Sequence, residues 1–245
     1  EEYPTTASDC EPVPGPVATV QTCRSLAVTL PSGSFLEGGR IDVGVRNPAP
    51  AACTTQDTAA LVTVPPPRLT GLEPDFACLE TAPGSATLVG TGLLRIGEAL
   101  PTVTVGGVDA VVEGLDDCTD LAGVPGTAVC TRAQLGLPAG ADAMTLDVVA
   151  TNPAPAACTS NSVPLRNFAP PTVTEATPVL FCNGDGGTTI TVSGTNFYTV
   201  AGQLPSMIVG DSVIVADTVD GCTTEEGLTL AVERCTSLTA TLPAD

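Results

Sequence analysis

Asn47-Pro48-Ala49-Pro50-Ala51-Ala52-Cys53-Thr54 recurs residue for residue as Asn152 through Thr159, an offset of 105 (152 − 47). Working outward, more of the chain falls into nearly the same register. Gly90-Thr91-Gly92-Leu93 returns as Gly194-Thr195-Asn196-Phe197, and Leu100-Pro101-Thr102-Val103-Thr104-Val105-Gly106 as Leu204-Pro205-Ser206-Met207-Ile208-Val209-Gly210, each at an offset of 104 (194 − 90; 204 − 100). Pro65-Pro66-Pro67 returns as Pro170-Pro171, and Leu30-Pro31 as Leu137-Pro138 and Leu242-Pro243. Repetition at one period marks a tandem array, in which each period is one supersecondary unit.

The copies are unequal. Residues 65–168 form a whole unit, residues 1–64 match the later part of a unit, and residues 169–245 match the earlier part. Cys10 to Leu30 is equivalent to Cys222 to Leu242, so the two partial units overlap and are not halves of one split domain. The chain opens on Glu1 without a basic, then apolar, leader, and reads as a mature product or as a window on a longer array.

Inside each unit the pattern has a period of two. Thr188-Thr189-Ile190-Thr191-Val192-Ser193-Gly194 alternates and is expected to end at its glycine. Leu26 to Leu30 and Leu238 to Leu242 alternate and run into proline, which cannot donate to a sheet. Ile41 to Val45 alternates into Asn47-Pro48, a turn starter. Some seven short strands per period predict an all-β fold of antiparallel sandwiches, one complete and two partial.

Composition narrows the chemistry. The 245 residues hold 8 basic and 27 acidic side chains, a net charge of −19, and no His or Trp. Every basic residue is Arg. Without His or Lys there is no Ser–His or Cys–His pair, no Schiff base and no histidine-ligated metal. The negative charge argues against nucleic acid, which is held by cations that displace phosphate counterions. No 18-residue apolar run is present, so membrane insertion is not expected. Neither a catalytic residue nor a cofactor is assigned.

The ten cysteines carry the informative chemistry. Cys10/Cys23, Cys118/Cys130 and Cys222/Cys235 recur at equivalent places, each pair enclosing a short loop before a Leu-Pro strand. Disulfides are expected there, in an oxidising compartment outside the cell. Cys53 and Cys158 lie in the Asn-Pro turns, and Cys78 and Cys182 follow the first strands. For these four three outcomes stand open: a staple between neighbouring domains or copies, an internal Cys78–Cys158 bond, or free thiols. Strict sandwich topology puts the two kinds of loop at opposite ends, farther apart than a disulfide spans. Acidic loops at 116–120 and 183–187 and the Glu225-Glu226 pair could offer oxygen ligands to calcium, though without a fixed ligand spacing, and otherwise read as solvated surface. Phe35, Phe76, Phe168, Phe181 and Phe197 read as core or junction residues.

The order of these motifs resembles the IPT/TIG family of immunoglobulin-like domains. The residues that carry it are Pro67-Arg68-Leu69-Thr70-Gly71-Leu72-Glu73-Pro74 and Pro171 to Pro178, then Gly186 to Phe197, then Val103 to Val108, then the Leu-Pro strand and the hairpin with its Asn-Pro turn. The resemblance covers the whole chain, in three registers. It implies immunoglobulin-like sandwiches acting as spacers, stalks, dimerisation modules or ligand-binding modules, with no shared active site, and it suggests a bacterial surface. The function expected is a structural segment of an extracellular fibre or surface stalk, with copies of itself or flanking repeats as partners. The alternative is the stalk of an adhesin whose ligand site lies elsewhere.

Overall fold

The structure, a computed structural model, describes residues 3–15, 20–31, 38–80, 82–180 and 187–242, and among them every regular element is a strand. The chain divides into two units between Pro65 and Pro66.

In the first unit β1 (Thr5–Pro12) pairs antiparallel with β2 (Gln21–Val28), and β3 (Gly39–Val43) with β4 (Ala59–Thr63). No described residue of this unit is buried. The two ribbons hold their shape through ladder bonds, one disulfide and a closed turn rather than through a core.

The second unit opens with β5 (Arg68–Glu73), β6 (Phe76–Ala77), β7 (Gly84–Ile96), β8 (Thr102–Val105), β9 (Val108–Asp116), β10 (Thr119–Asp120), β11 (Thr127–Leu137), β12 (Thr145–Thr151) and β13 (Val163–Asn167). They run in one ladder, β5-β7-β11-β9-β8-β12-β13-β6, with β10 added on β11. The β8–β9 hairpin carries the ladder from one layer into the other, and β13 packs back against β5. The result is a sandwich-like body, antiparallel except for the short parallel pair of β13 and β6. Alternation decides what goes inside: Leu88, Leu135, Val148 and Leu165 are fully buried and face one core. Each such side chain contributes about 2 kcal/mol by leaving water.

From Thr172 onward the strands belong to other sheets. β14 (Thr172–Thr177), β15 (Thr189–Val200), β16 (Ser206–Val209), β17 (Ser212–Val215), β18 (Thr218–Asp220), β19 (Thr223–Glu225) and β20 (Val232–Thr241) complete the described chain. β14-β15-β20-β18 form one sheet with β19 on β20, and β16–β17 form a separate hairpin. These reproduce β5, β7, β8, β9, β10 and β11 in register: Cys130 opposes Leu93, and Cys235 opposes Phe197. The core here is smaller, built on Ile190, Val192, Phe197, Cys235 and Leu238.

One expectation needs correcting. The strand from Thr189 does not end at Gly194 but runs on to Val200, with a register shift between Ser193 and Phe197. In the complete repeat a Cβ on the equivalent Gly90 would lie 2.5 Å from the carbonyl oxygen of Arg68. Glycine is there so that β5 can close on β7 at a bulge, not to terminate a strand.

Candidate functional site

Two constructions recur at equivalent places and a third joins the complete repeat to the strands after it, and the chemistry of the chain is concentrated in these three. The first is the crosslinked loop. Cys10–Cys23, Cys118–Cys130 and Cys222–Cys235 are disulfides, with Cα atoms 4.0, 4.0 and 3.9 Å apart. Cys10 and Cys23 sit directly opposite each other in the β1–β2 ladder. In the second unit the strand-borne partner, Cys130 or Cys235, has no exposure and forms part of the core. Each bond therefore ties a surface loop to the centre of its sheet.

The second construction is the Asn-Pro turn. Asn152 donates its backbone N–H to the Cys158 carbonyl at 2.9 Å, and Ala157 donates to Pro153 at 3.2 Å. In the first unit Asn47 bonds Cys53 at 2.8 Å and Ala52 bonds Pro48 at 3.1 Å. Ala52 and Ala157 share a left-handed φ, 48° and 47°. The Cys53 and Cys158 thiols each donate to the carbonyl two residues back, at 3.4 Å. The turn thus has the same shape with a core behind it and without one.

Where the core is present, Asn152 is a clamp. Its Oδ1 accepts from the Leu94 N–H at 2.9 Å and its Nδ2 donates to the Gly92 carbonyl at 2.8 Å. Asn161 brackets Leu69 in the same way, at 2.9 and 3.1 Å. Asn167 accepts from Leu79 and donates to Ala141 and Asp142. Sequence reasoning treated Asn152 only as a turn starter. Its signal was its return at Asn47, since a turn alone tolerates Asp, Ser or Gly.

The third construction is the junction between the complete repeat and the strands that follow it. Phe168 stacks on Tyr198 with ring centroids 4.5 Å apart, and Phe76 lies 5.5 Å from Phe168. Arg166 donates to Glu225 at 3.1 Å and to the Glu226 carbonyl at 3.3 Å, while Arg234 meets Glu225 at 3.2 Å. The N–H and hydroxyl of Thr229 both donate to Asp75, each at 2.9 Å. Glu225 is therefore an ion-pairing residue inside the junction rather than solvated surface. The Tyr198 phenol is pushed up, mainly by burial and then by the nearby Glu225 carboxylate, with a smaller push from Cys78.

The remaining cysteines separate along the repeat. Cys158 precedes β13 on the Leu94 side, and Cys78 lies beside its far end, where Phe168 donates to Ala77 at 2.7 Å. Cys53, Cys78 and Cys158 are free thiols. Cys182, Phe35, Phe181 and most of the 183–187 acidic loop lie outside the described residues. In the 116–120 loop, Asp116 accepts from Gln134 at 3.0 Å and stands opposite Arg132, whose guanidinium is pushed up chiefly by its hydrogen bond to Glu73. Among the described residues no three Cys, Asp or Glu side chains converge as a metal site. A shallow depression lined by Asp120, Leu121 and Gly123 to Thr127 offers one carboxylate and one hydroxyl, those of Asp120 and Thr127. Comparison with protein-family models and with curated protein sequences returns no match.

Proposed function

We propose that the chain is a structural segment of an extracellular fibre or surface stalk, built from immunoglobulin-like repeats of the IPT/TIG type that join axially. The role is mechanical rather than catalytic. The observation that carries it is the junction: an aromatic stack, an Arg166–Glu225 ion pair and the Asp75–Thr229 bonds couple one repeat to the next, with Ala169 to Pro171 between strands. A packed junction with almost no slack transmits load along an array, whereas a long polar linker would not.

Three disulfides support an oxidising environment outside the cell. The surface proposed is bacterial, on the strength of the family resemblance alone. Electron microscopy of the native material is the test. The expected object is long and axially periodic, with a spacing of roughly 40 Å, the length of a 13-residue strand such as β7. Compact particles without periodicity would overturn the reading.

A further inference from the structure

The outer face of the complete repeat carries a row of polar side chains. Glu73 of β5 stands opposite Thr87 of β7, Thr87 opposite Gln134 of β11, and Gln134 opposite Gly114 of β9, the strand that brings Asp116 alongside. Arg132, opposite Asp116, shares this face because residues two apart in a strand point the same way. Ala86, Leu88, Ala133 and Leu135, the chain neighbours of Thr87 and Gln134, are buried in the core on the other face.

Hydrogen bonds connect the row. The Thr87 hydroxyl donates to Gln134 Oε1 at 3.0 Å, and Gln134 Nε2 donates to Asp116 Oδ2 at 3.0 Å. A hydroxyl, a carboxamide and a carboxylate therefore stand in line. They supply an oxygen nucleophile, an acyl carbon bearing a nitrogen leaving group, and a proton carrier on that nitrogen, which are the parts of an acyl transfer. Gln134 Cδ lies one C=O bond, about 1.2 Å, beyond Oε1, so Thr87 Oγ1 is within about 4.2 Å of it. Reacting atoms need to be about 3–3.5 Å apart. The terminal torsion of a glutamine is broad, so rotation of the amide closes the difference. Both side chains are half-buried, and the β7–β11 ladder fixes the backbones that carry them.

The equivalent row in the strands that follow lacks these parts. Thr191 stands where Thr87 does and Thr239 where Gln134 does, at offsets of 104 and 105 (191 − 87; 239 − 134), and the two again face each other. Thr177 stands in place of Glu73 and Ser237 in place of Arg132. Strand pairing of this kind thus proceeds with hydroxyls alone, and the amide between hydroxyl and carboxylate is particular to the complete repeat.

We propose that Thr87 and Gln134 join in an intramolecular ester, with Asp116 relaying the proton. Thr87 Oγ1 attacks Gln134 Cδ; the Oγ1–Cδ bond forms and the Cδ–Nε2 bond breaks. The hydroxyl proton passes through Asp116 to the departing nitrogen, Asp116 ends as the carboxylate it began as, and ammonia leaves. No electron is gained or lost, and the balance needs no co-reactant. Asp116 touches the leaving nitrogen and is the catalytic residue. The product is a covalent rung between β7 and β11. This inference goes beyond the fibre reading and does not rest on it.

The test is mass spectrometry of the full, disulfide-bonded chain, fresh and after prolonged incubation at neutral pH. Expected is a species lighter than the encoded mass by one ammonia, accumulating with time. Trypsin cleaves after arginine, so after reduction and alkylation peptides 69–95 and 133–166 should remain joined. Hydroxylamine should part them and leave a hydroxamate on Gln134. T87V and Q134E should abolish the species. D116N, a change at an exposed residue, should slow its appearance roughly 100-fold while hydrogen exchange in 84–137 stays unchanged. Peptides 167–234 and 235–245, which carry Thr191 and Thr239, should come apart on reduction. A chain that keeps its full mass overturns the inference. So does an ammonia loss mapped to Asn183-Gly184, or an unchanged rate in D116N. An ester-bearing chain whose native material forms no periodic object upholds the inference and sinks the fibre reading; periodic fibres built from chains of full mass do the reverse.

Discussion

Phe168 and Tyr198 lie face to face, centroids 4.5 Å apart and planes 16° from parallel. Phe168 closes the complete repeat and Tyr198 belongs to the next set of strands, so the stack is the apolar seal of the junction. Offset aromatic pairs of this kind contribute about 1 kcal/mol beyond the area they bury.

The seal depends on pH through the phenol. Burial and Glu225 raise the Tyr198 pKa, so the folded chain holds this proton more tightly than the unfolded one. Stability from this source is whole below the usual phenol value of about 10 and falls as pH rises through the raised folded value. The phenolate absorbance of the native chain, minus that of Y198F, should show a component titrating later than free tyrosine. A component titrating at or below the free value would contradict the buried stack.

Asn152→Ala should cost about 2–4 kcal/mol in denaturant unfolding, because it strands the Leu94 N–H and the Gly92 carbonyl in the interior. Asn47→Ala, whose side chain bonds no described residue of its own unit, should change the chain by less than about 1 kcal/mol. Equal costs at the two sites would mean that the clamp is not what makes Asn152 matter.

Leu69→Ala removes a buried side chain and should cost about 3 kcal/mol, whereas Val173→Ala at the equivalent, exposed place should be within about 0.5 kcal/mol of neutral. Denaturant midpoints measure both, and equal costs would contradict the difference in burial.

C118S/C130S opens a crosslink between residues 12 apart and should lower stability by about 3 kcal/mol, seen as a shifted denaturant midpoint. The Cys130 side adds the loss of a fully buried sulfur. A loss below about 1 kcal/mol would show that the unfolded chain keeps this loop closed without the bond.

Glu225→Gln weakens two ion pairs at once, with Arg166 and Arg234. Their arginines are part-exposed, so about 1 kcal/mol per pair is the upper scale, and the effect should shrink at high salt. The readout is hydrogen exchange across 223–241, which should quicken while 84–137 stays unchanged. Quickening in both segments would place the change outside the junction.

Much of the architecture was legible because tandem copies are compared within one chain. Period-two alternation located the strands, and the recurring spacing of Cys118 and Cys130 located the crosslinked loops. What was hidden depends on which strands become neighbours. Gly194 reads as a stop from its immediate sequence, yet it sits under the backbone of Thr172, 22 residues away (194 − 172). Glu225 reads as solvated until Arg166, 59 residues earlier, is brought against it (225 − 166). The side chains of Asn152 and Asn167 satisfy backbone groups of β7 and of the segment after β6, partners set by topology and invisible to local pattern.

In the proposed array the disulfides would also set how far the material can stretch. Force along an array enters a repeat at Pro67 and leaves at Phe168, and an unfolding repeat would ordinarily lengthen by its whole contour. The Cys118–Cys130 bond withholds 12 residues of that contour, roughly 40 Å at about 3.5 Å per residue. Cys10–Cys23 and Cys222–Cys235 each withhold 13 more. A thread of such repeats has shortened extensibility written into every link, and a reductant would make it longer under load before it made it weaker.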